Sequence, residues 1–559
     1  MPFARDVIAD TQPAASVDNA AGGPLSSDLN LIDAAGPPTE IEAAGPPAGK
    51  EPEHKQSEHF RTDHLIANIG HRAVSGGFIT VSAQAAKFTL NFLAAAVLAR
   101  LLSPRDFGLV GMVLGVTALV QVFTQLGLSI ATIQRETITQ AQVSNLFWIN
   151  VGFSGVLAAL TAGLAPATAL FYHDPRVKGI MLALSLTFLL TGSTVQHQAL
   201  LTRQMRFPML AVIDVTSAAF GFSLACFLAW RGFSYWSLVA QQLATAGSTL
   251  IMTWIVSGWR PSLPSRNSGV KPMLSFGAHL SVADFVGQFS VNTDSILLGR
   301  FFGAAPLGLY TRANVLLARP IQQIITPINN VLIPVLSRLQ GDPDRYRRSY
   351  MRAYGTLALI VFSFSAMCLA LARPVVLVIL GPKWSEAIPL FAMFTLVAIS
   401  TPLSSICSWI YESQGRGKDQ LRNHTAAGLV TIVSYLIGLH WGPLGVVTSL
   451  AVISIAVRLP IVYAIAGRIG PVRTRDLWSG FVSHLPCWIT VFFITLLACR
   501  MMPHARPIVQ LLVCGPLGLA VGAALFLLFP SPRESAFFLV GKIRTTLKAR
   551  ALKARMATS

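Results

Sequence analysis

The sequence predicts an all-α polytopic membrane protein with about 14 transmembrane helices. Of its 559 residues, 53% are hydrophobic and only 12% are charged, whereas a typical soluble domain has about 25% charged residues. Continuous apolar runs of about 20 residues, each long enough to cross a hydrocarbon core of roughly 30 Å, recur along most of the chain. A third observation, a repeated stretch of sequence, predicts how these helices are organised.

The predicted spans are the longest apolar segments of the chain. In order, they lie near residues 76–99, 107–131, 145–171, 179–201, 209–230, 234–257, 274–299, 306–335, 351–380, 386–411, 424–440, 443–467, 480–499 and 508–529. Several are longer than a bilayer requires, which allows tilted or kinked helices.

The distribution of charge predicts the topology. The net charge of +19 comes from 43 Lys and Arg residues against 24 Asp and Glu residues. Most of the basic residues lie between the apolar runs, and with the N-terminus inside the cell the majority fall on inward segments. This is the bias of the positive-inside rule, so we expect both termini in the cytoplasm. The topology therefore explains the positive net charge, and we expect no nucleic-acid partner.

One stretch of sequence occurs twice. A-A-V-L-A-R-L-L-S-P-R-D-F-G-L-V (95–110) is echoed 200 residues later by S-I-L-L-G-R-F-F-G-A-A-P-L-G-L-Y (295–310), with Arg100 matching Arg300. Six predicted spans separate the copies. Because that number is even, the copies share one orientation, as in the parallel repeats of transporters.

A second echo follows spans 3 and 9. L-A-P-A-T-A-L-F-Y-H-D-P-R (164–176) resembles L-A-R-P-V-V-L-V-I-L-G-P-K (371–383). In each copy a proline, Pro166 or Pro374, is expected to break an apolar helix before a short polar turn.

The repeats predict five regions. Two six-helix lobes comprise residues 66–270 (spans 1–6) and 271–470 (spans 7–12), and residues 471–530 add spans 13 and 14. Residues 1–65, rich in Ala, Pro and Gly, are predicted to be a disordered cytoplasmic tail. Residues 531–559 are predicted to form a basic cytoplasmic tail whose amphipathic helix lies on anionic lipid.

Polar residues inside the predicted spans are the candidate functional residues. A charged side chain in a bilayer costs roughly 2.5–3.5 kcal/mol on insertion scales, so it usually faces a cavity or a partner. The helical period places the polar residues of span 1 on one face, and the same holds for span 8. The candidates for substrate binding are Gln84, Lys87, Asn91, Arg312, Arg319, Gln323 and Arg458, and the candidates for ion coupling are Asp214, Asp284 and Asp294.

Two such polar faces would together line a hydrated cleft that contains cations. The cleft suits an amphiphile with an anionic or sugar-rich head and an apolar tail left in the lipid. Three structural alternatives stay open: Arg312 snorkels to the outer surface, Asp214 caps a neighbouring helix, and Asp294 pairs with Arg300.

No pattern in the sequence is typical of a catalytic site. The chain contains no G-x-x-x-x-G-K-[ST], H-E-x-x-H or G-x-S-x-G motif, and its six cysteines form no C-x-x-C pair. We therefore expect no catalytic residue, no metal and no cofactor, and favour a carrier over an enzyme.

Several motifs resemble those of one family. The chain is similar to the Wzx-like lipid-linked oligosaccharide flippases, the polysaccharide branch of the multidrug/oligosaccharidyl-lipid/polysaccharide (MOP) exporter superfamily, and in particular to transporters of bacterial exopolysaccharide clusters. The motifs that carry the resemblance are L-A-R-L-L-S-P-R-D-F-G-L-V (98–110), Q-L-G-L-S-I-A-T-I-Q-R (125–135), S-N-L-F-W-I-N-V (144–151), H-Q-A-L-L-T-R-Q-M-R-F (197–207), D-S-I-L-L-G-R-F-F-G-A-A-P-L-G-L-Y (294–310) and I-L-G-P-K-W (379–384).

The resemblance implies a function. Such a protein moves an undecaprenyl-pyrophosphate-linked oligosaccharide repeat across the bacterial inner membrane, for exopolysaccharide or lipopolysaccharide biosynthesis, by alternating access of two lobes. Its expected partners are this lipid-linked oligosaccharide, membrane lipids, and a polysaccharide polymerase with chain-length proteins. The family has no universal catalytic motif, so the resemblance assigns no role to a residue.

Three alternatives remain at the level of sequence. A cation-coupled multidrug exporter of the same fold would favour acidic residues in its cavity, whereas this chain offers at least as many cations. A membrane-bound polysaccharide polymerase or ligase would need a large outer loop, which is not visible. A structural membrane scaffold would have no use for ionisable residues inside its spans.

Overall fold

Helices joined by short turns make up most of the part of the protein that the structure describes. The computed structural model describes residues 69–121, 129, 132–133, 138–265 and 288–528, and none of these residues belongs to a β-strand. The predicted all-α fold is therefore confirmed. Predictions made for residues 1–65 and 531–559 and for Asp284 lie outside the described residues, and the boundaries of the five predicted regions stay predictions.

The described helices fall into two halves and a C-terminal pair. The first half contains α1 (Ile69–Leu101), α2 (Pro104–Gln121), α3 (Gln140–Tyr172), α4 (Arg176–Gly192), α5 (Val195–Arg203), α6 (Phe207–Trp230) and α7 (Trp236–Ser257). The second half contains α8 (described over 288–302), α9 (Ala304–Arg338), α10 (Pro343–Ala370), α11 (Ala372–Ile379), α12 (Ala387–Ser413), α13 (Gly417–Gly438), α14 (Gly442–Ile453) and α15 (Leu459–Ala466). The C-terminal pair consists of α16 (Thr474–Arg500) and α17 (Pro507–Leu528).

Eight helical segments among the described residues are long and apolar enough to cross a membrane. One of them, Gly417–Ala466, holds two predicted spans, because the chain turns at Gly442 (φ 74°) and α13 packs against α14. The helices α1 and α9, which carry the predicted polar faces, are not among the eight. A polytopic helical membrane protein is thus confirmed, while the number 14 stays a prediction.

Two predicted helix breaks are placed differently in the structure. The helix α3 continues through Pro166 to Tyr172, because neighbouring helices can satisfy the one carbonyl that a proline leaves without its donor. In span 9 the break falls at Leu371, between α10 and α11. Pro374 is the third residue of α11, where a helix does not need the missing N–H. The prediction that Pro166 breaks its helix was wrong.

The turn between α1 and α2 is held by an acidic cap. The Ser103 backbone N–H and hydroxyl both donate to Oδ2 of Asp106, at 2.9 and 2.6 Å. Ser234, which precedes α7, also donates to this carboxylate. The cap fixes the start of α2, the helix through which the first half contacts the second.

The two halves meet where α2 crosses α9. A Cβ atom at Gly108 would lie 1.6 Å from the Ala304 carbonyl oxygen, and one at Gly308 would lie 1.8 Å from the Pro104 carbonyl oxygen. The offset of 200 residues seen in the sequence relates Gly108 to Gly308 and Pro104 to Ala304. The repeated glycines therefore let the two helices touch backbone to backbone, in a contact that is nearly two-fold symmetric.

Further contacts between the halves lie at the same end of the molecule, which we call the crossing end. The Arg100 guanidinium donates to the Val378 carbonyl at 2.6 Å. Its counterpart Arg300 lies over the ring of Phe171, with its guanidinium carbon 5.7 Å from the centroid. Phe171 and Val378 occupy matching positions in the second echo, so these two contacts are also related by the repeat.

At the opposite end of the helices, hydrogen bonds connect neighbouring helices within each half. Arg206, just before α6, donates to the Val256 carbonyl near the end of α7 at 3.2 Å. Arg416, just before α13, donates to the Ala466 carbonyl at the end of α15 at 3.3 Å. One offset of 210 residues relates both members of the two pairs, which shows that the structural repeat extends through both halves.

Candidate functional site

A cavity of about 560 Å³, which we call cavity A, lies between α1, α6 and α7 of the first half and α9 of the second. Its apolar boundary toward the crossing end includes Leu98 and Phe107, and it extends to Phe207, the first residue of α6. The cavity brings together six predicted substrate-binding residues, namely Gln84, Lys87, Asn91, Arg312, Arg319 and Gln323. Asp214, predicted as an ion-coupling residue, lines it as well.

The charged side chains of cavity A are only partly neutralised. Lys87 Nζ donates to Asp214 Oδ2 at 3.1 Å, and these side chains are 42% and 50% exposed. Ion pairs this exposed contribute little stability, typically about 0.2–1 kcal/mol. Arg319 is exposed and has no hydrogen-bond or ion-pair partner in the part of the chain that the structure describes. Three cations with one carboxylate leave a net positive cavity.

Arg312 is held by an aromatic ring. Its guanidinium carbon lies 3.9 Å from the centroid of Phe107, a close cation–π contact. The Nε atom of Arg312 is buried without a hydrogen-bond partner among the described residues. Arg312 therefore points into cavity A rather than to the outer surface, and Asp214 pairs with Lys87 rather than capping a helix.

A second cavity of about 1030 Å³, cavity B, lies on the other side of α9. It is bounded by α8, α12, α13 and α14, and by Ala118 and Gln121 of α2. Arg458, the seventh predicted substrate-binding residue, lines this cavity and not cavity A. The structure therefore separates Arg458 from the six residues with which the sequence grouped it.

Asp294 lines cavity B as a nearly buried carboxylate, 6% exposed. Its Oδ2 accepts a hydrogen bond from the Tyr310 hydroxyl at 3.0 Å, and its Oδ1 accepts one from the Ser295 backbone N–H at 2.5 Å. The predicted pairing of Asp294 with Arg300 is not found, because Arg300 contacts Phe171 instead.

Sequence reasoning missed several lining residues. Phe107 was not a candidate, because its role depends on meeting an arginine more than 200 residues away. Tyr310, Asn314 and Tyr435 of cavity B were also missed. Only Asn314 gave a signal, because it is a polar residue of α9 that lies off the helix face of Arg312 and Arg319. The two tyrosines lie in ordinary apolar runs.

Polar cavities between helices long enough to cross a membrane are the arrangement in which transporters bind their substrates. Among the described residues, no group of three or more His, Cys, Asp or Glu side chains is placed to hold a metal ion. A family model described as "Polysaccharide biosynthesis protein" matches residues 97–389, more than half of the chain. The chain belongs to this family, as the resemblance predicted.

Relatives in the family come from diverse bacteria. The chain is 26% identical over 302 residues to the teichuronic acid biosynthesis protein TuaB of Bacillus subtilis, covering 54% of this chain and 62% of that one. It is 23% identical over 349 residues to the lipopolysaccharide biosynthesis protein WzxC of Escherichia coli, covering 61% and 70%. It is 26% identical over 333 residues to the succinoglycan biosynthesis transport protein ExoT of Rhizobium meliloti, covering 59% and 67%. The match to TuaB thus spans less than two thirds of that protein.

Solved structures share the fold at low sequence identity. The lipid II flippase MurJ, in an inward closed conformation, superposes with a TM-score of 0.65 at 13% identity, covering 80% of this chain and 99% of that one. An inward-facing multidrug resistance transporter of the MOP superfamily gives a TM-score of 0.53 at 14% identity, covering 72% and 95%. The chain therefore shares its polytopic helical fold with both of these proteins.

Proposed function

We propose that the protein is a flippase that moves an undecaprenyl-pyrophosphate-linked oligosaccharide repeat from the cytoplasmic to the periplasmic leaflet of the bacterial inner membrane. The observation that carries this proposal is the meeting of Lys87, Arg312 and Arg319 in cavity A with Asp214 as the opposing charge. The names of the relatives, which refer to polysaccharide biosynthesis and transport, support the same class of substrate.

Cavity A has the chemistry that a pyrophosphate requires. Arginine binds phosphate oxygens through two parallel N–H donors, and lysine binds them as a point charge. Arg319 is available without rearrangement, and Lys87 becomes available when phosphate replaces Asp214 as its partner. The Phe107 ring keeps the Arg312 guanidinium oriented before the ligand arrives. The apolar tail of the substrate stays in lipid throughout.

The contacts between the halves support alternating access. The positive-inside rule places Arg206 and Arg416 on the cytoplasmic side, so the crossing end is periplasmic and both termini are cytoplasmic. The hydrogen bonds from Arg100 to the Val378 carbonyl and from Trp384 to the Ala99 carbonyl then hold the periplasmic side closed. Transport would separate α2 from α9 to open that side, and would close the other side.

The membrane potential favours the proposed direction. Moving one elementary charge across 100 mV is worth about 2.3 kcal/mol, and an inside-negative potential drives an anionic head outward. Asp214, Asp284 and Asp294 remain candidates for coupling to a proton or sodium gradient. A polysaccharide polymerase and chain-length proteins are the proposed partners on the periplasmic side.

The proposal is tested by a flipping assay in proteoliposomes that contain the purified protein and a fluorescent lipid-linked oligosaccharide. Loss of signal to an impermeant quencher reports movement between leaflets, with and without an imposed inside-negative potential. Protein-dependent movement that the potential accelerates supports the proposal. Absence of movement together with efflux of lipophilic cations would instead assign the protein to the multidrug exporters.

A further inference from the structure

Cavity B corresponds to cavity A in the other half of the repeat. Cavity A is built on α1, α6 and α7, and cavity B on α8, α13 and α14 with the turn that follows it. Within these helices His424 of cavity B lies 210 residues after Asp214 of cavity A. The acidic residue that opposes the cations of cavity A therefore has no acidic counterpart at the matching position of cavity B.

The lining of cavity B has the composition of a sugar site. Amide and hydroxyl side chains can both donate to and accept from sugar hydroxyls, and aromatic rings offer flat faces to the C–H side of a sugar ring. The lining side chains of these kinds include Asn314, Gln322, Ser405, Thr431 and Tyr435. At about 1030 Å³ the cavity is at the upper end of ordinary ligand pockets, roughly 300–1,000 Å³.

Among the described residues, Arg458 supplies the guanidinium that lines cavity B. It is the last residue of a π-helical turn, Ser454–Arg458, between α14 and α15. Such turns commonly occur at functional sites. Pro460, two residues later, has no N–H for the Ala456 carbonyl, which explains why regular helical bonding is interrupted here.

The Arg458 guanidinium is free to bind an anion. It has no hydrogen-bond or ion-pair partner within the described ranges, and its Nε atom is buried. The carboxylate of Asp294 in the same cavity already accepts hydrogen bonds on both oxygens, from Tyr310 and Ser295. Both carboxylate oxygens of Asp294 thus have hydrogen-bond donors, whereas the Arg458 guanidinium has no acceptor among the described residues.

We propose that cavity B binds an acidic sugar of the lipid-linked repeat, with Arg458 holding its carboxylate. This inference rests on the proposed flippase function and names the chemistry of the substrate. A guanidinium and a carboxylate match as two parallel hydrogen bonds. The pyrophosphate then lies in cavity A and the uronate in cavity B, on opposite sides of α9, so the substrate is recognised at two separate anionic groups.

The test compares two probes that differ in one group. Both are undecaprenyl-pyrophosphate-linked oligosaccharides of equal length, one with a glucuronate and the other with glucose in its place. Flipping rates at subsaturating probe are measured in proteoliposomes for the full-length wild type and for Arg458→Gln, Arg458→Lys and Asn314→Ala. Asn314→Ala is the matched control, because it removes a neutral hydrogen-bonding group from the same cavity.

The wild type is expected to move the glucuronate probe about tenfold faster than the glucose probe, the factor for one charge-assisted hydrogen bond. Arg458→Gln should lose this preference and keep the glucose rate within about twofold. Arg458→Lys should keep part of it. Asn314→Ala should slow both probes equally and leave the preference unchanged.

Several results would overturn the inference. A wild type that moves both probes at equal rates removes the inference and leaves the flippase function intact. The same holds if Arg458→Gln keeps the preference. It also holds if Arg458→Gln inserts normally and slows the flipping of both probes equally, which would make the role of Arg458 structural. A wild type that moves neither probe overturns the flippase function and the inference together.

Discussion

At the scale of single residues, cavity A concentrates charge that the residues described by the structure do not neutralise. Lys87 forms an ion pair with Asp214, and Arg312 makes a cation–π contact with Phe107. Arg319 is unpaired among the residues described. An arginine held on an aromatic face loses little freedom when a ligand binds, which favours affinity.

Removing a cation that lines cavity A should slow transport without harming the fold. For Arg319→Ala or Lys87→Ala we expect flipping at subsaturating substrate to fall roughly 10- to 100-fold, since a charged hydrogen bond contributes about 1.5–3 kcal/mol. Polymer export in cells should stop, while the amount of protein in the membrane stays normal. Arg338→Ala is the matched control, because Arg338 lies exposed at the end of the same helix and lines neither cavity. Normal export by both variants would remove the case for a cationic cavity.

Asp214→Asn distinguishes a counter-charge from an ion-coupling residue. If Asp214 only pairs with Lys87, its loss should strengthen binding of the anionic head by up to about fivefold, because the exposed pair is worth about 0.2–1 kcal/mol. Transport should continue. If Asp214 couples an ion, transport should instead lose its response to an imposed proton or sodium gradient. Flipping rates with and without each gradient decide between the two roles.

At the scale of elements, the crossing of α2 and α9 depends on two glycines. For Gly108→Ala or Gly308→Ala the new methyl would overlap a carbonyl oxygen, and such overpacking costs about 1–3 kcal/mol. We expect a lower melting temperature in detergent and slower flipping. Gly111→Ala is the control, because its methyl would lie 3.6 Å from Leu307, an ordinary contact. Equal melting temperatures for Gly108→Ala and Gly111→Ala would contradict a backbone contact.

Hydropathy and helical period were sufficient to predict most elements and part of the site. Gln84, Lys87 and Asn91 share a helix face, so local spacing placed them together correctly. Spacing could not assign Arg458 to a separate cavity, because that depends on which side of α9 each helix packs. Nor could it predict that α3 tolerates Pro166, since neighbouring helices decide whether a proline breaks a span.

At the scale of the whole molecule, the alternating access proposed above would make this structure one state of a transport cycle. The crossing end is closed by contacts between the halves, including the bond from Trp384 Nε1 to the Ala99 carbonyl at 2.8 Å. A net hydrogen bond is worth about 0.5–1.5 kcal/mol. Losing it should shift the population toward the state that opens at this end.

Trp384→Phe tests this shift, since it keeps a buried ring and removes the donor. A cysteine introduced in cavity A, at Gln323, reports exposure to a membrane-impermeant thiol reagent added from the periplasmic side. Cys226 and Cys499, the two native cysteines that are not fully buried, are first replaced by Ser. We expect labelling of Gln323→Cys to increase severalfold with Trp384→Phe. Unchanged labelling would show that this bond does not control closure.

The paired contacts of Gly108 with Ala304 and of Gly308 with Pro104 also bear on ancestry. A surface on which residue i touches j while the copy of j touches the copy of i is self-complementary, the property of an isologous dimer interface. A single ancestral lobe with this surface would have paired with its own twin. After fusion, one gene could keep the interface symmetric while the two interiors changed independently. Asp214 and His424, which occupy matching positions 210 residues apart, differ in chemistry as such divergence would produce.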